Sequence, residues 1–330
     1  MNVLSAHVYG GGFVHGLKMA GANHIGSLET WPPGYVMSDL IGMKRIGKVM
    51  SADLFVTNPP CSRFSTMSSH HYSKEAKADL SLFCELTESL TWANQSKAGI
   101  IWWENGPAAF TSGRGIIHGA HEFVGAKTTL VLKIDPSWSG NIQLRPRTHV
   151  IHFMDKVEVK GLPAATRPQI SVRKWIDARL GSVERVPAPD VRYYLEKNAV
   201  EQIVAMEGKK CFNSCKPALI NEDQAYSYAV LSSRQFAWAQ ENRWWSVMEY
   251  AAAMTYPLDV DYGSLNYPIH KVLPLLSKSV MPAVAKYVYE NIVSPLAKNK
   301  VLDGPHRPDL DGDIYYVRML ADRKACDIVL

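Results

Sequence analysis

Asp53-Leu54-Phe55-Val56-Thr57-Asn58-Pro59-Pro60-Cys61 carries an apolar run into two prolines and a thiol, and a polar loop, Ser62-Arg63-Phe64-Ser65, follows at once. The apolar run reads as a buried strand, with Cys61 just past its carboxyl end. Open α/β sheets place their sites outside the carboxyl ends of the strands. The prolines fix φ and stiffen the turn beneath the thiol. A rigidly presented cysteine suits covalent chemistry. A free cysteine is also commonly a small buried hydrophobe, so Cys61 alone leaves both readings open.

The flanking sequence alternates strand and helix signals. Val3–Tyr9 reads as a strand, Gly10-Gly11-Gly12 as a turn and the segment from Val14 to Met19 as a helix. His24–Leu28 and Tyr35–Met37 are short strand candidates, and Ala52–Thr57 is apolar enough for a central strand. Lys74–Gln95 has helical periodicity, with Leu80, Phe83, Leu86 and Leu90 on one face. Gly99–Trp103, Lys127–Ile134 and His149–Phe153 continue the strands. Such alternation predicts an α/β fold with a mostly parallel sheet covered by helices. From about residue 160 prolines break the pattern, at 163, 168, 187 and 189. Helical signals return near Trp244–Ala253 and Val280–Ile292, and Asp313–Leu320 reads as an added edge strand.

The chain has 330 residues, 47% hydrophobic and 20% charged, which fits a soluble globular protein. No apolar run approaches the roughly 18 residues of a membrane span, and the N-terminus lacks the pattern of a secretory signal. The five cysteines, Cys61, Cys84, Cys211, Cys215 and Cys326, are sparse and odd in number. That predicts reduced thiols and a cytoplasmic location. Cys211 and Cys215 do not have the usual zinc spacing, so no metal is expected. Net charge is +5. Residues 156–216, with 12 Lys/Arg and 7 Asp/Glu, carry the whole excess, which permits a polyanionic partner without requiring one.

Five elements then fall into order. Gly10-Gly11-Gly12-Phe13 follows the first strand, where glycines let a backbone approach a cofactor. Glu29 and Asp39 end the next strand candidates; carboxylates there can bind ribose hydroxyls and an adenine amine, and Trp31 offers a stacking face. Pro59-Pro60-Cys61 is third. Glu104-Asn105 follows Ile100-Ile101-Trp102-Trp103, and Gln143-Leu144-Arg145-Pro146-Arg147 precedes the strand at His149.

This order resembles the DNA cytosine-C5 methyltransferase family, whose pattern is a glycine-rich first turn, Pro-Cys, Glu-Asn-Val and Gln-x-Arg-x-Arg. The likeness continues at Arg243-Trp244-Trp245-Ser246-Val247-Met248-Glu249, which resembles Arg-x-Leu-Thr-x-Arg-Glu. It ends at Ser277-Lys278-Ser279-Val280-Met281-Pro282, which resembles Gly-Asn-Ser-Val-x-Pro. It covers about residues 3–153 and 230–292. Several departures from the pattern stand out. His7-Val8-Tyr9 stands where the family has Phe-x-Gly, Gly106 replaces the valine after Glu-Asn, Met248 replaces the arginine of the late motif, and Lys278 replaces an asparagine.

The resemblance implies a Rossmann-like class I methyltransferase fold with a small target-recognition region. Residues 1–155 would form the catalytic and cofactor-binding core, 156–230 the recognition region, 231–295 helices completing the core, and 296–330 a C-terminal extension. Cys61 would attack C6 of a flipped cytosine, Glu104 would hold N3 and the exocyclic amine, Arg147 would contact O2, and Arg145 would help place Cys61. S-adenosylmethionine, or its carboxylated analogue carboxy-S-adenosylmethionine, would meet Gly10, Gly11, Gly12, Phe13, Glu29, Trp31, Asp39, Pro59, Lys278, Ser279 and Val280. Double-stranded DNA would meet Ser62, Arg63, Ser68, Arg173 and Lys174. The cation of Lys278 suits a carboxylate on the donor, which favours carboxymethyl transfer giving 5-carboxymethylcytosine; ordinary methyl transfer is the alternative. A monomer in a bacterial or phage-infected cell is expected. An RNA cytosine-C5 enzyme, which would usually carry Cys-Phe-Thr after the late motif, and an inactive DNA-binding homologue, which should have lost Cys61 or Glu104, are the less favoured alternatives. Asn58-Pro59-Pro60 also resembles the Asn-Pro-Pro-aromatic motif of amino-methyltransferases, but Cys61 stands at the aromatic position, and the Glu-Asn and Gln-x-Arg-x-Arg elements favour C5 chemistry.

Overall fold

The computed structural model describes residues 1–8, 10–29, 43–60, 64, 79–165, 170–181, 218–230, 236–241, 243–259 and 275–320. They fall into two compact units. The first comprises Met1–Gly140, Pro146–Arg167 and Ser279–Ala321; the second contains Asn141–Arg145 and Pro168–Lys278. Residues 243–259 belong to the second unit.

The first unit is built on one eight-stranded sheet. Its strands are β1 (Asn2–Ala6), β2 (Asn23–Leu28), β3 (Leu54–Thr57), β4 (Ile100–Asn105), β5 (Thr128–Ile134), β7 (Arg147–Phe153), β14 (Asp309–Asp311) and β15 (Ile314–Met319); the short strands β6 (Gln143–Leu144), β8 (Glu158–Val159), β9 (Ala218–Ile220), β10 (Ser227–Tyr228), β11 (Phe236–Trp238), β12 (Arg243–Trp244) and β13 (Val301–Leu302) lie outside it. The spatial order is β14-β15-β5-β7-β4-β3-β1-β2. β2, β1, β3 and β4 are parallel neighbours, and β15 is parallel to β5. β7 runs antiparallel to both β4 and β5. β3 and β4 are buried at every position, the pattern of strands covered on both faces.

Helices cover the two faces. α1 (Gly12–Met19) lies on one, with Phe13 edge-on to Trp102 at a ring separation of 4.6 Å. Gly16 lets α1 close on the helix Pro282–Val288, since a Cβ there would stand 2.2 Å from the Pro282 carbonyl oxygen. On the other face, Leu86, Leu90 and Ala93 of α2 (Cys84–Gln95) and Ile116, Ile117 and Ala120 of α3 (Arg114–Val124) share a core with Phe55, Ile101, Trp103, Val150 and Tyr316.

Several expected boundaries move. α2 begins at Cys84, after a single turn at Leu80–Leu82 capped by the Asp79 carboxylate; residues 74–78 and Tyr35–Met37 lie outside the described residues. Ile314–Met319 is not an edge strand. Ile314, Tyr316, Val317 and Met319 are buried, and Asp309–Asp311 folds back through Gly312 (φ 61°) to form the exposed edge. Arg243–Trp244 pairs as a strand. The helix after it starts at Val247, behind a capping box between Ser246 and Glu249.

The second unit contains a three-stranded sheet of Ala218–Ile220, Phe236–Trp238 and Arg243–Trp244. Phe236, Trp238, Trp245 and Tyr250 cluster in its core. Gln143 is scaffold here: its amide donates to the Ala253 carbonyl at 2.9 Å and accepts from the Val230 amide at 3.3 Å.

A buried polar chain crosses the first unit's sheet. The Trp103 indole donates to His152 Nε2 (2.9 Å), which leaves the proton of the neutral ring on Nδ1, facing Thr129 Oγ1 at 2.7 Å. Thr129 also meets His121 Nδ1 at 2.8 Å. Burial pushes the His152 ring down to about 3. The unfolded chain therefore takes up a proton near pH 6.5 that the native state refuses until about pH 3. This contribution to stability is complete above pH 6.5 and is lost as the pH falls toward 3. Denaturant melts of the wild type should weaken across that window. His152→Gln should flatten the slope by up to about 1.4 kcal/mol per pH unit; parallel slopes would contradict the assignment.

Candidate active site

Strand register builds the site. Ala6 pairs with Leu28 and with Thr57, and Thr57 pairs with Trp103. The parallel strands therefore end together, and the segments that leave them share one edge. β7 starts at that edge: Glu104 pairs with His149 and Asn105 with Thr148, so Arg147 enters beside Glu104. Asn58, Pro59, Pro60, Glu104, Asn105 and Arg147 thus meet although 89 residues of sequence separate the first from the last.

Asn58 and Glu104 are both 3% exposed. Asn58 Nδ2 donates to Glu104 Oε2, in a short contact, and to the Glu104 backbone carbonyl at 3.3 Å. Arg147 Nε stands 3.4 Å from the other carboxylate oxygen, Oε1, and its Nη1 donates to the Pro146 carbonyl at 3.0 Å. A second amide links the same strand ends in the opposite sense: Asn105 Nδ2 donates to the Pro59 carbonyl at 3.2 Å, while Asn105 Oδ1 accepts from the Gly106 amide at 2.8 Å. Cys61, Ser62, Arg63 and Ser68 lie outside the described residues. The chain reappears at Phe64, which is fully buried with its ring 5.9 Å from Phe83.

Phe64 explains Gly106. A Cβ on Gly106 would lie 2.5 Å from the Phe64 carbonyl oxygen. The backbone just past Cys61 is packed where the resembled family carries its valine side chain. Gly113 gives way on the same ring, with a Cβ there only 2.8 Å from Phe64 Cε1.

The expected donor contacts begin at the glycine turn. Gly11 adopts φ 70°, and its amide donates to the Val8 carbonyl at 2.7 Å. Tyr9, Trp31 and Asp39 lie outside the described residues. Glu29 Oε1 accepts from the Val8 amide at 3.0 Å and from the Ser27 hydroxyl at 2.7 Å. Its Oε2 is buried and has no hydrogen-bond partner among the described residues. Burial raises the Glu29 carboxyl above its ordinary value, opposed by those two hydrogen bonds and by Arg45. An acceptor held this way beside a glycine turn fits the vicinal hydroxyls of a ribose.

Other expected donor contacts have different local roles. The Phe13 ring is fully buried against Trp102, so it belongs to the core. The Ser279 hydroxyl accepts the Gly12 amide at 3.1 Å and ties the closing motif to the first turn. Val280 is buried just before the helix that packs on Gly16, and the Pro59 carbonyl is taken by Asn105. His7, where the family has phenylalanine, is buried, takes φ 50° and stacks 5.5 Å from Trp92. Burial lowers its ring to about 4, against the pull of Glu85, so it is neutral at physiological pH.

In the second unit, Arg145 is 2% exposed and its guanidinium donates to the Ser277 carbonyl. Lys278 is exposed, as is Lys174. Arg173, expected to meet DNA, sits instead among three carboxylates. Nε is 2.9 Å from Asp177, Nη1 is 3.9 Å from Glu222 and in short contact with Glu241, and the guanidinium lies 5.0 Å from the Trp238 ring centre. Its charge is neutralised locally, so Arg173 is a strut of this unit and a poor candidate for phosphate.

Sequence reasoning passed over Asn58 as a contact of Glu104. The only signal was an amide residue directly before the two prolines.

No protein-family model matches this chain, and no curated protein matches it in sequence. Solved structures do match in fold. One is described as a DNA modification methyltransferase encoded within an E. coli prophage, at 14% identity and a TM-score of 0.63, covering 90% of this chain and 100% of that one. The Entamoeba histolytica methyltransferase EhMeth aligns at 11% identity with a TM-score of 0.62, over 90% of this chain and 98% of its own. The S. pombe Dnmt2 methyltransferase aligns at 12% identity with a TM-score of 0.59, over 90% and 99%. The chain has the mixed α/β, Rossmann-like fold of these methyltransferases, with one large, mostly parallel sheet.

Proposed function

We propose that this protein is a cytosine-C5 alkyltransferase that acts on a flipped cytosine in double-stranded DNA through a covalent adduct of Cys61. The observation that carries the reading is the meeting of Asn58-Pro59-Pro60 with Glu104 and Arg147 at one strand edge. Cys61 is the residue that follows Pro60 in the sequence, and Glu104 is a buried carboxylate in a fold shared with known methyltransferases.

Cytosine C5 is a weak nucleophile. Addition of the Cys61 thiolate to C6 makes the ring an enamine that is nucleophilic at C5. Glu104 binds N3 and the exocyclic amine and offsets charge that develops on the ring, and Arg147 contacts O2. After alkylation a base, water included, removes the C5 proton and Cys61 leaves. The duplex hides its bases, so the target is extruded, at a cost of a few kcal/mol. The donor supplies an electrophilic carbon on a sulfonium. Glu29 holds its ribose beside the Gly10–Gly12 turn.

The finer reading concerns the group transferred. Lys278 is exposed and directly precedes Ser279, whose hydroxyl holds the Gly12 amide. A cation at this point in the chain favours a donor bearing a carboxylate, so we propose carboxymethyl transfer from carboxy-S-adenosylmethionine. The protein is proposed to act as a cytoplasmic monomer. Among the described residues no helix is long and apolar enough to cross a membrane.

Nucleoside mass spectrometry tests both levels. Cytosine-containing duplex DNA is incubated with enzyme and equal amounts of the two donors. 5-Carboxymethylcytosine is expected as the main product. 5-Methylcytosine alone would leave the C5 reading and overturn the donor reading; neither product on DNA, with 5-methylcytosine formed in RNA, would move the substrate to RNA. Lys278→Asn should shift the product ratio toward 5-methylcytosine, and an unchanged ratio would show Lys278 to be a bystander.

A further inference from the structure

We propose that Asn58 is a positioning residue for Glu104, fixing which carboxylate oxygen is presented to the base. The inference rests on the cytosine-C5 reading above and extends it to a residue outside the C5 motifs given in the sequence analysis.

A glutamate side chain ends in a torsion with broad, roughly two-fold freedom, so a carboxylate on a strand end does not by itself present one oxygen. Glu104 is constrained from two sides. Asn58 Nδ2 takes Oε2, and Arg147 Nε stands 3.4 Å from Oε1. The two oxygens are therefore inequivalent. Oε2 is turned toward β3 and its amide, and Oε1 is turned toward the start of β7. The amide orientation follows from the surroundings. The Asn58 atom facing Glu104 lies near two acceptors, Oε2 and the backbone carbonyl at 3.3 Å, so it is the nitrogen.

Asn58 is itself held. It directly follows β3, and the prolines after it restrict the backbone. The Asn105 amide pins the Pro59 carbonyl from the neighbouring strand. Asn58 Oδ1 is buried with no partner among the described residues, and an unmet buried acceptor is destabilising. A small apolar residue would avoid that cost. What asparagine adds at this place is its grip on Glu104.

The test is a double-mutant cycle in single-turnover rate on duplex DNA at saturating donor. Wild type, Asn58→Ala, Asn58→Asp, Glu104→Gln and Asn58→Ala/Glu104→Gln are compared, with the KM for donor measured alongside. Asn58→Ala should lower the rate by about 10²-fold, the scale of a misplaced catalytic group, with the donor KM unchanged. Asn58→Asp keeps the shape, and hence the packing, but replaces the donor with a second acid, so it should lose at least as much. The double variant should be no slower than Glu104→Gln alone, because the two residues act as one unit. A fully active Asn58→Asp, or losses that multiply in the double variant, would overturn the proposal while leaving the C5 reading in place. A wild type inactive on both DNA and RNA cytosine would remove the reading and the proposal together.

Discussion

The parallel pairing of Leu54–Thr57 with Ile100–Trp103 is the constraint on which the site depends. Two strands with this register and direction must end side by side, and what each chain does next is confined to the same few ångströms. One continues through Asn58, Pro59 and Pro60 toward Cys61; the other ends in Glu104 and Asn105. Paired amides then fasten the ends: Asn58 reaches across to Glu104, and Asn105 reaches back to Pro59. Because the strands are buried on both faces, neither can slip without exposing Phe55, Trp102 or Trp103. The chemistry of the edge is therefore inherited from the rigidity of the sheet.

The antiparallel β7 completes the arrangement in a way a wholly parallel sheet would not. Its direction brings its first residue, Arg147, to the edge where its neighbours finish. The same logic accounts for Gly106 and Phe64. Once Phe64 is buried against Phe83, its carbonyl occupies the space a side chain at position 106 would need. Beside the glycine turn, Glu29 is held by two hydrogen bonds to one oxygen, and the other oxygen has no hydrogen-bond partner among the described residues.

Much of this was legible in the sequence. The apolar runs Ala52–Thr57, Gly99–Trp103 and Lys127–Ile134 are short and nearly uninterrupted, and they form the strands Leu54–Thr57, Ile100–Asn105 and Thr128–Ile134. The order of the glycine turn, Pro-Pro-Cys, Glu-Asn and the Arg-x-Arg pair carried the fold. What the sequence hid depends on partners distant in the chain. Ile314–Met319 looks like an edge strand until Asp309–Asp311 folds beside it. Arg173 looks like a free cation until Glu222 and Glu241, about 50 and 70 residues later, close on it. Phe13 sits in a motif that suggests ligand contact, and only the position of Trp102 shows its ring to be core. The contact of Asn58 with Glu104 is not legible locally, because its partner is a residue of the next strand.

The most direct test of the account is covalent trapping on duplex DNA containing 5-fluoro-2′-deoxycytidine. Fluorine at C5 prevents the final proton removal, so an enzyme that adds its thiol to C6 stays attached after alkylation. The account predicts a complex resistant to denaturation that forms only with donor present and is lost in Cys61→Ser. Absence of the complex in a wild type that binds the DNA, or its persistence in Cys61→Ser, would contradict the claim that the two strand ends bring a cysteine nucleophile and a glutamate to one cytosine.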